Sequence, residues 1–360
     1  MKKTKMHAVL TLGTGGYEQL SYQEVDLPVI SSGEVLIKVF AAGVNNTEIN
    51  TRLGWYSSSF KSSTNDTQID QESERKDIAD GGWDKKTPFP FIQGTDCCGE
   101  VVEVYDSKNQ SLIGKRVIIR PCIRVDGEKS LENIWMASDF NGAFADYVKI
   151  SAENVFEVNC NWSNEELASI PCAYGTSENM INRAGVNKTH TVLVMGASGG
   201  VGTASIQLAK RRGAKVIAVC SGNKKQAVQA IGVDQVLTRE DNIVKNLGES
   251  TIDVVIDNVG GEKFPELIDV LVRGGKYVSS GAVAGPVVKL DLRPFYLKDI
   301  TLIGCTSWDL EVFPNLVRYI EQGEIKPVIW KTYPLHSIVN AQKEFLLRQH
   351  VGKIVLINTK

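Results

Sequence analysis

The chain has 360 residues, 42% of them apolar and 23% charged, with a formal net charge of −2. That length exceeds what one hydrophobic core usually spans and predicts two domains, while the near-neutral charge gives nucleic-acid binding no electrostatic basis. No apolar run is long enough to span a membrane, the basic start "MKKTKMHAVLTLG" has no apolar stretch of the kind a secretory signal carries, and the seven cysteines contain no C-x-x-C pair, which points to reduced thiols in a cytoplasmic protein rather than to disulfides or a four-cysteine zinc lobe.

Up to about residue 150 the pattern is β-rich. "EVLIKVFAA", "GEVVEVY", "GKRVIIRP" and "GAFADYVKI" alternate as strands do, with turn residues between them, in the manner of a partly closed barrel. "GVNNTE", Gly43 to Glu48, follows the first of these and reads as a polar turn at a strand end. From Ser57 to Pro88 the chain is polar, charged and nearly free of aliphatics, so a long surface loop is expected there, placed to cover whatever a nearby cleft holds. The character changes at Ser163, where Ser163-Asn164-Glu165-Glu166 forms a capping box. Apolar strands then alternate with helices: "HTVLVMG", helical "GTASIQLAKRRG", "AKVIAVC", helical "NKKQAVQAIG", "DQVLT", helical "EDNIVKNLG", "IDVVIDNVG", helical "KFPELIDVLVRGG", "KYVSSG" and "DITLIGCT". Such alternation predicts an α/β unit with a parallel sheet covered on both faces. From about residue 311 come two further helices and a last strand, "GKIVLI".

"VLVMGASGGVG" is the strongest chemical signal. Gly196, Gly199, Gly200 and Gly202, with Ser198 and Val201 between them, join a buried strand to a helix. Glycine permits the tight turn, lets the backbone approach a pyrophosphate and allows the helix to pack on the strand. The phosphates then meet free N–H groups at the positive end of the helix dipole. An NAD site places an acid roughly 20 residues on, at the end of the second strand. Cys220 stands there instead, followed by Ser221, Gly222, Asn223, Lys224 and Lys225. A 2′-phosphate meets no carboxylate and gains a hydroxyl and one or both lysines, so NADP(H) is the expected cofactor, with Ser221 and Lys225 as its phosphate contacts.

With these motifs in order, the chain resembles the medium-chain dehydrogenase/reductase superfamily, the zinc-containing alcohol dehydrogenase family, and within it the zinc-free quinone oxidoreductase branch. The marks are "MHAVLTLGTGG", "AAGVNNTEINTRLGWY", "PFIQGTDCCGEVVEV", "GAFADYVKI", "ELASIPCAYGT", "GASGGVG", "DNVGG" and "HVGKIVL", covering nearly everything outside 57–88. The resemblance implies a GroES-like partly closed β barrel over 1–160 and 311–360, joined to a Rossmann doubly wound parallel sheet over 161–310, with the active site in the cleft between. It adds Thr176, Asn258, Val259 and Gly281 to the cofactor contacts. It also implies a homodimer through the edge strand "DITLIGC", since an apolar edge needs a partner.

Zinc-dependent members place metal ligands at the positions of Asn45, Thr95 and Cys172. Only the cysteine is retained, and amides and hydroxyls are poor zinc ligands. His7, His190, His336 and His350 lie outside these motifs, and Asp96, Cys97 and Cys98, beside the lost histidine position, fit packing better. No metal is therefore expected. Without a Lewis acid, hydrogen-bond donors must stabilise the oxyanion and an acid must supply a proton. Asn45, Thr47 and Tyr56 are the catalytic candidates, the resemblance placing a proton-relay hydroxyl at Thr47 and a proton donor at Tyr56; Asn50 and Asp96 are weaker ones. The expected activity is NADPH-dependent, zinc-independent hydride transfer to a quinone or α,β-unsaturated carbonyl compound, the small-molecule partner being a quinone, an enone or an aldehyde. A zinc alcohol dehydrogenase, an enoyl thioester reductase and a non-catalytic NADPH-binding protein are the alternatives.

Overall fold

A computed structural model describes residues 4–61, 63–64, 86–127 and 130–358. The polar loop expected over 57–88 lies largely outside them. The chain divides into two compact units, one of Met1–Phe60, Thr67–Cys172 and Phe313–Lys360, the other of Lys61–Asp66 and Ala173–Val312.

The first unit is built around the strand Glu34–Gly43. Its alternating Val35, Ile37 and Val39 are buried in a core shared with Val101, Val117, Ile119, Val148 and Ile354, as a half-buried strand of period two requires. A seven-stranded sheet runs Val155–Glu157, Arg116–Ile119, Cys98–Val104, Glu34–Gly43, Lys353–Ile357, Ile329–Pro334, with Tyr147–Ser151 also paired to Glu34–Gly43. Lys353–Ile357 lies antiparallel to the far end of Glu34–Gly43, in the register Val355 to Gly43. A smaller sheet joins Leu20–Asp26, Lys5–Thr11 and Phe91–Ile92. This is the GroES-like barrel unit.

The division between units falls at Cys172, twelve residues beyond the expected 160. Arg116 ties the first part of this stretch to the barrel, its guanidinium donating to the carbonyls of Cys160 and of Trp162, the latter at 2.7 Å, and Asp96 ties its end by accepting from Cys172 N. The expected capping box follows, Ser163 Oγ accepting from Glu166 N at 3.2 Å and Glu166 Oε2 accepting from Ser163 N at 2.8 Å. It opens only the short helix Asn164–Ala168; the longer helix Pro171–Ala184 comes after it.

The second unit is the Rossmann sheet. Six parallel strands run Gln235–Thr238, Lys215–Cys220, Thr191–Val194, Ile252–Ile256, Leu271–Ser279, Thr301–Gly304. The strand order reverses direction between Thr191–Val194 and Ile252–Ile256, which makes that junction the topological switch point. One stretch departs from expectation. "KFPELIDVLVRGG" is helical only over Phe264–Val270, and Leu271–Ser279 is already strand. Leu271 pairs with Ile252, and Gly274 has φ +74°, which a helix does not accommodate. The helix Leu292–Leu297 was not anticipated either. Glu178, fully buried on Pro171–Ala184, holds Arg212 through two bonds of 2.7 and 2.9 Å at the end of Gly200–Arg211. No helix among the described residues is long and apolar enough to cross a membrane.

Candidate active site

In the barrel unit the segment expected to be a polar turn is the start of a helix. Asn45, in extended backbone, caps the helix Asn46–Leu53, and the Glu48 carboxylate reaches back to accept from Asn45 N at 2.7 Å. This is the reciprocal half of a capping box. Gly54 closes the helix with φ +70°, and Trp55 N bonds back to Asn50 O at 2.9 Å. That turn returns the chain toward the helix start, where the hydroxyl of Tyr56 donates to Thr47 Oγ1 at 3.1 Å. Thr47 and Tyr56 are both half-buried.

Asn45 is buried and its amide is fully engaged. Nδ2 donates to Asp96 Oδ2 at 2.8 Å and approaches Glu48 Oε1 at 3.4 Å. Oδ1 accepts from Lys353 Nζ at 2.5 Å. The same ammonium bonds Asp96 Oδ2 at 2.9 Å and Val44 O at 3.2 Å. The other oxygen of Asp96 accepts from Cys172 N at 2.6 Å, in the first turn of Pro171–Ala184, where a carboxylate also meets the positive end of the helix dipole. Glu48 is enclosed in turn, accepting from Thr95 N at 3.0 Å and from the Thr95 hydroxyl. Burial raises the Glu48 carboxyl above its ordinary range, with the Thr95 bonds and Lys353 opposing. Beside this cluster, Arg348 donates to Asn46 Oδ1 at 2.6 Å, its guanidinium lowered to about 10 by burial.

In the Rossmann unit the glycine loop joins Thr191–Val194 to the helix Gly200–Arg211, which Gly199 caps. A Cβ at Gly202 would overlap the Gly196 carbonyl and the Ala197 backbone, so the helix start can lie this close to the strand only with glycine. Val201 is half-buried on the first turn. Ser198 is 9% exposed, and Lys224, 7% exposed, directs its ammonium at Ser198 Oγ across 3.3 Å. The two phosphate candidates are placed differently: Ser221 is half-buried, its carbonyl accepting from Lys224 N at 2.9 Å, and Lys225 is exposed. Asn258 follows the strand Ile252–Ile256, its Oδ1 accepting from Ser280 N at 3.0 Å and Ser280 Oγ at 2.8 Å. Val259 is half-buried next to it, and exposed Gly281 lies just past the neighbouring strand, its carbonyl accepting from Ser279 Oγ at 2.9 Å. Thr176 is half-buried on Pro171–Ala184.

The structure thus brings together Asn45, Thr95, Asp96 and the Cys172 backbone in one cluster, and Thr47 with Tyr56 beside it. Sequence reasoning missed Glu48 and Lys353, and of the two lysines it offered, Lys224 and Lys225, it singled out Lys225. Asn-x-x-Glu was a readable signal for the first, of the same form as the Ser163 box. A lone lysine opening the apolar strand "KIVLI" was a signal for the second. For Lys224 only the fold distinguishes it from its neighbour.

Comparison with known proteins bears on this arrangement. The family profile described as alcohol dehydrogenase GroES-like domain matches residues 31–159, and the one described as zinc-binding dehydrogenase matches 200–322. The chain is 30% identical to an acryloyl-coenzyme A reductase of Sulfurisphaera tokodaii, over 76% of this chain and 86% of that one. It is 26% identical to the quinone oxidoreductase of Mus musculus over 98% of both. A solved putative alcohol dehydrogenase from Sinorhizobium meliloti 1021 superposes with a TM-score of 0.87 at 39% identity, covering 99% of this chain and 97% of that one.

The zinc these names imply does not fit the donors present. Asn45 Oδ1 is spent on an ammonium and the Thr95 hydroxyl on Glu48. Among the described residues no group of three His, Cys, Asp or Glu side chains could hold a metal ion. Replacing Lys353 by Met should leave Asp96 as an uncompensated buried charge and cost about 3–5 kcal/mol. The double variant Lys353→Met/Asp96→Asn should recover most of that in denaturant unfolding; a single variant as stable as the parent contradicts the assignment.

Proposed function

Because the chain belongs to the medium-chain dehydrogenase/reductase superfamily of nicotinamide-dependent oxidoreductases, we propose that it is an NADPH-dependent reductase that delivers hydride to a quinone or an α,β-unsaturated carbonyl compound without zinc. The observation that carries this reading is the Asn45, Asp96 and Lys353 cluster, in which the chain's own ammonium engages the amide at the metal-ligand position. The relatives named quinone oxidoreductase and acryloyl-coenzyme A reductase support the substrate class.

NADPH supplies the hydride when bound. The acceptor then develops negative charge on oxygen, and a proton must follow. Thr47 and Tyr56 are suited to bring it: Tyr56 donates to Thr47, which leaves the Thr47 hydrogen free to point outward, and half-buried Tyr56 can be reprotonated from water. Quinones and enones suit such modest donors because their negative charge delocalises. Asn45, with its amide hydrogens facing Asp96 and Glu48, acts here as the brace that fixes the helix carrying Thr47.

Preference for NADPH rests on the buried ammonium of Lys224 beside Ser198, with Cys220 where an NAD site has a carboxylate. Lys224 replaces Lys225 as the main phosphate contact in this reading, with Ser221 secondary. We place the protein in the cytoplasm, in keeping with seven free thiols, and as a homodimer through the sheet edge Thr301–Gly304. That edge exposes Leu302, with Leu292, Tyr296 and Leu297 also exposed on the preceding helix.

A second reading, reduction of an α,β-unsaturated thioester, is favoured by the acryloyl-coenzyme A reductase relative. A panel of quinones, enones, acryloyl thioester, aldehydes and simple ketones, followed by NADPH absorbance, separates the two. Turnover of a quinone or enone is expected, and Tyr56→Phe should lower its kcat roughly a hundredfold; no turnover across the panel contradicts the reading, and an unchanged rate removes Tyr56 as proton donor. For the cofactor, Lys224→Ala should weaken NADPH binding about tenfold through loss of a charge-assisted hydrogen bond, with little change for NADH. Equal losses for both dinucleotides would refute the phosphate contact.

A further inference from the structure

Asp257 follows the strand Ile252–Ile256, which pairs directly with Thr191–Val194, so it lies at the topological switch point of the Rossmann sheet. Its side chain is fully buried. An acid there is costly unless every lone pair is satisfied, and every contact of this one is internal. Oδ1 accepts from Val259 N at 2.7 Å, Gly260 N stands 3.2 Å from both oxygens, and Oδ2 accepts from the hydroxyl of Tyr277 at 2.7 Å. Burial raises the Asp257 carboxyl, and the Tyr277 and backbone bonds pull it back. Tyr277 comes from the adjacent strand Leu271–Ser279 and is fixed edge-on against Phe264, with ring centroids 5.0 Å apart.

These bonds shape the turn that follows. Curling the chain around the Asp257 carboxylate carries the Val259 side chain against the glycine loop, where a Cβ on Gly196 would lie 2.9 Å from Val259 Cγ2. The outer side of the turn is fastened by Val283 N to Asn258 O at 3.1 Å and Ala284 N to Val259 O at 2.8 Å. A ligand in a doubly wound sheet sits at the switch point, above the strand ends. Val259 therefore packs on the glycine loop at the end of the sheet where a ligand of this fold sits.

We propose that Asp257 and Tyr277 are a positioning pair for the nicotinamide dinucleotide: the phenol orients the buried carboxylate, and the carboxylate holds Val259 against the glycine loop in a binding-ready form. This rests on the nucleotide-binding reading above. Neither side chain touches the ligand. A preorganised turn lowers the ordering cost of binding, so loosening it should appear as lost affinity rather than as slower chemistry.

The experiment compares wild type, Tyr277→Phe and Asp257→Asn by fluorescence titration with NADPH, by thermal melting of the ligand-free protein, and by steady-state kinetics. Tyr277→Phe removes one hydroxyl and keeps the ring packing. It should raise the NADPH Kd about tenfold and the NADPH KM far more than it lowers kcat; the lost hydrogen bond to a buried charge also lowers the melting temperature by a few degrees, leaving the variant folded at the titration temperature. Asp257→Asn keeps an oxygen for Val259 and Gly260 and offers Tyr277 an amide hydrogen, so it should bind better than Tyr277→Phe. If Asp257→Asn fails to fold, the Tyr277→Phe result decides alone. Wild-type affinity in Tyr277→Phe, or an affinity loss that vanishes on titration at a lower temperature where the variant is fully folded, overturns the positioning role. A wild type that binds neither NADPH nor NADH overturns the nucleotide reading itself and the positioning role with it.

Discussion

An ammonium and a carboxylate taken out of water together set the terms for the barrel unit. Lys353 is 3% exposed and Asp96 not at all. Desolvating such a pair costs several kcal/mol per ion and is tolerated only where geometry and further hydrogen bonds are good. The chain meets that condition by converging on the pair. The last strand brings Lys353, the end of Glu34–Gly43 brings Val44 O and the Asn45 amide, and the start of Pro171–Ala184 brings the Cys172 N–H. Segments remote in sequence are thereby fixed at one point, and the helix Asn46–Leu53 starts from it. The hydroxyls of Thr47 and Tyr56 inherit their positions from that helix and its closing turn.

The Rossmann unit solves a different problem. It must leave backbone groups able to meet a phosphate while keeping strand ends rigid. Glycine gives the closeness at Gly202, the dipole of Gly200–Arg211 favours an anion, and Lys224 adds a cation at the loop's edge. At the switch point another buried acid, Asp257, turns its charge inward. Both units thus use a buried carboxylate as scaffold, Asp96 with an ammonium and Asp257 with a phenol and two amides.

Much of this was legible in the chain. The parallel strands, the glycine loop and the Ser163 box depend on local periodicity and on residues near one another in sequence, and each stands where its pattern indicated. Four features were not legible for physical reasons. "GVNNTE" looks like a turn because the amide residues suit turns as well as helix caps; the deciding partner is Glu48, whose carboxylate returns to Asn45 N. "LVRGGKYVS" looked helical at its start because Leu and Val after a helix continue its pattern until pairing with Ile252 overrides it. Lys353 could not be connected to Asn45 at all, since the contact depends on the register of the last strand. The pairing of Lys224 with Ser198 is tertiary in the same way.

The claim that joins these observations is that a side-chain cation and hydrogen bonds occupy the position where related enzymes use a metal, and that reduction proceeds from there. Zinc analysis of the purified protein, paired with its NADPH-dependent reductase rate before and after dialysis against a chelator, tests it most directly. The account predicts far less than stoichiometric zinc and a rate the chelator does not change. About one zinc per chain, of the kind a catalytic site holds, with activity lost on its removal and restored on its return, would contradict it.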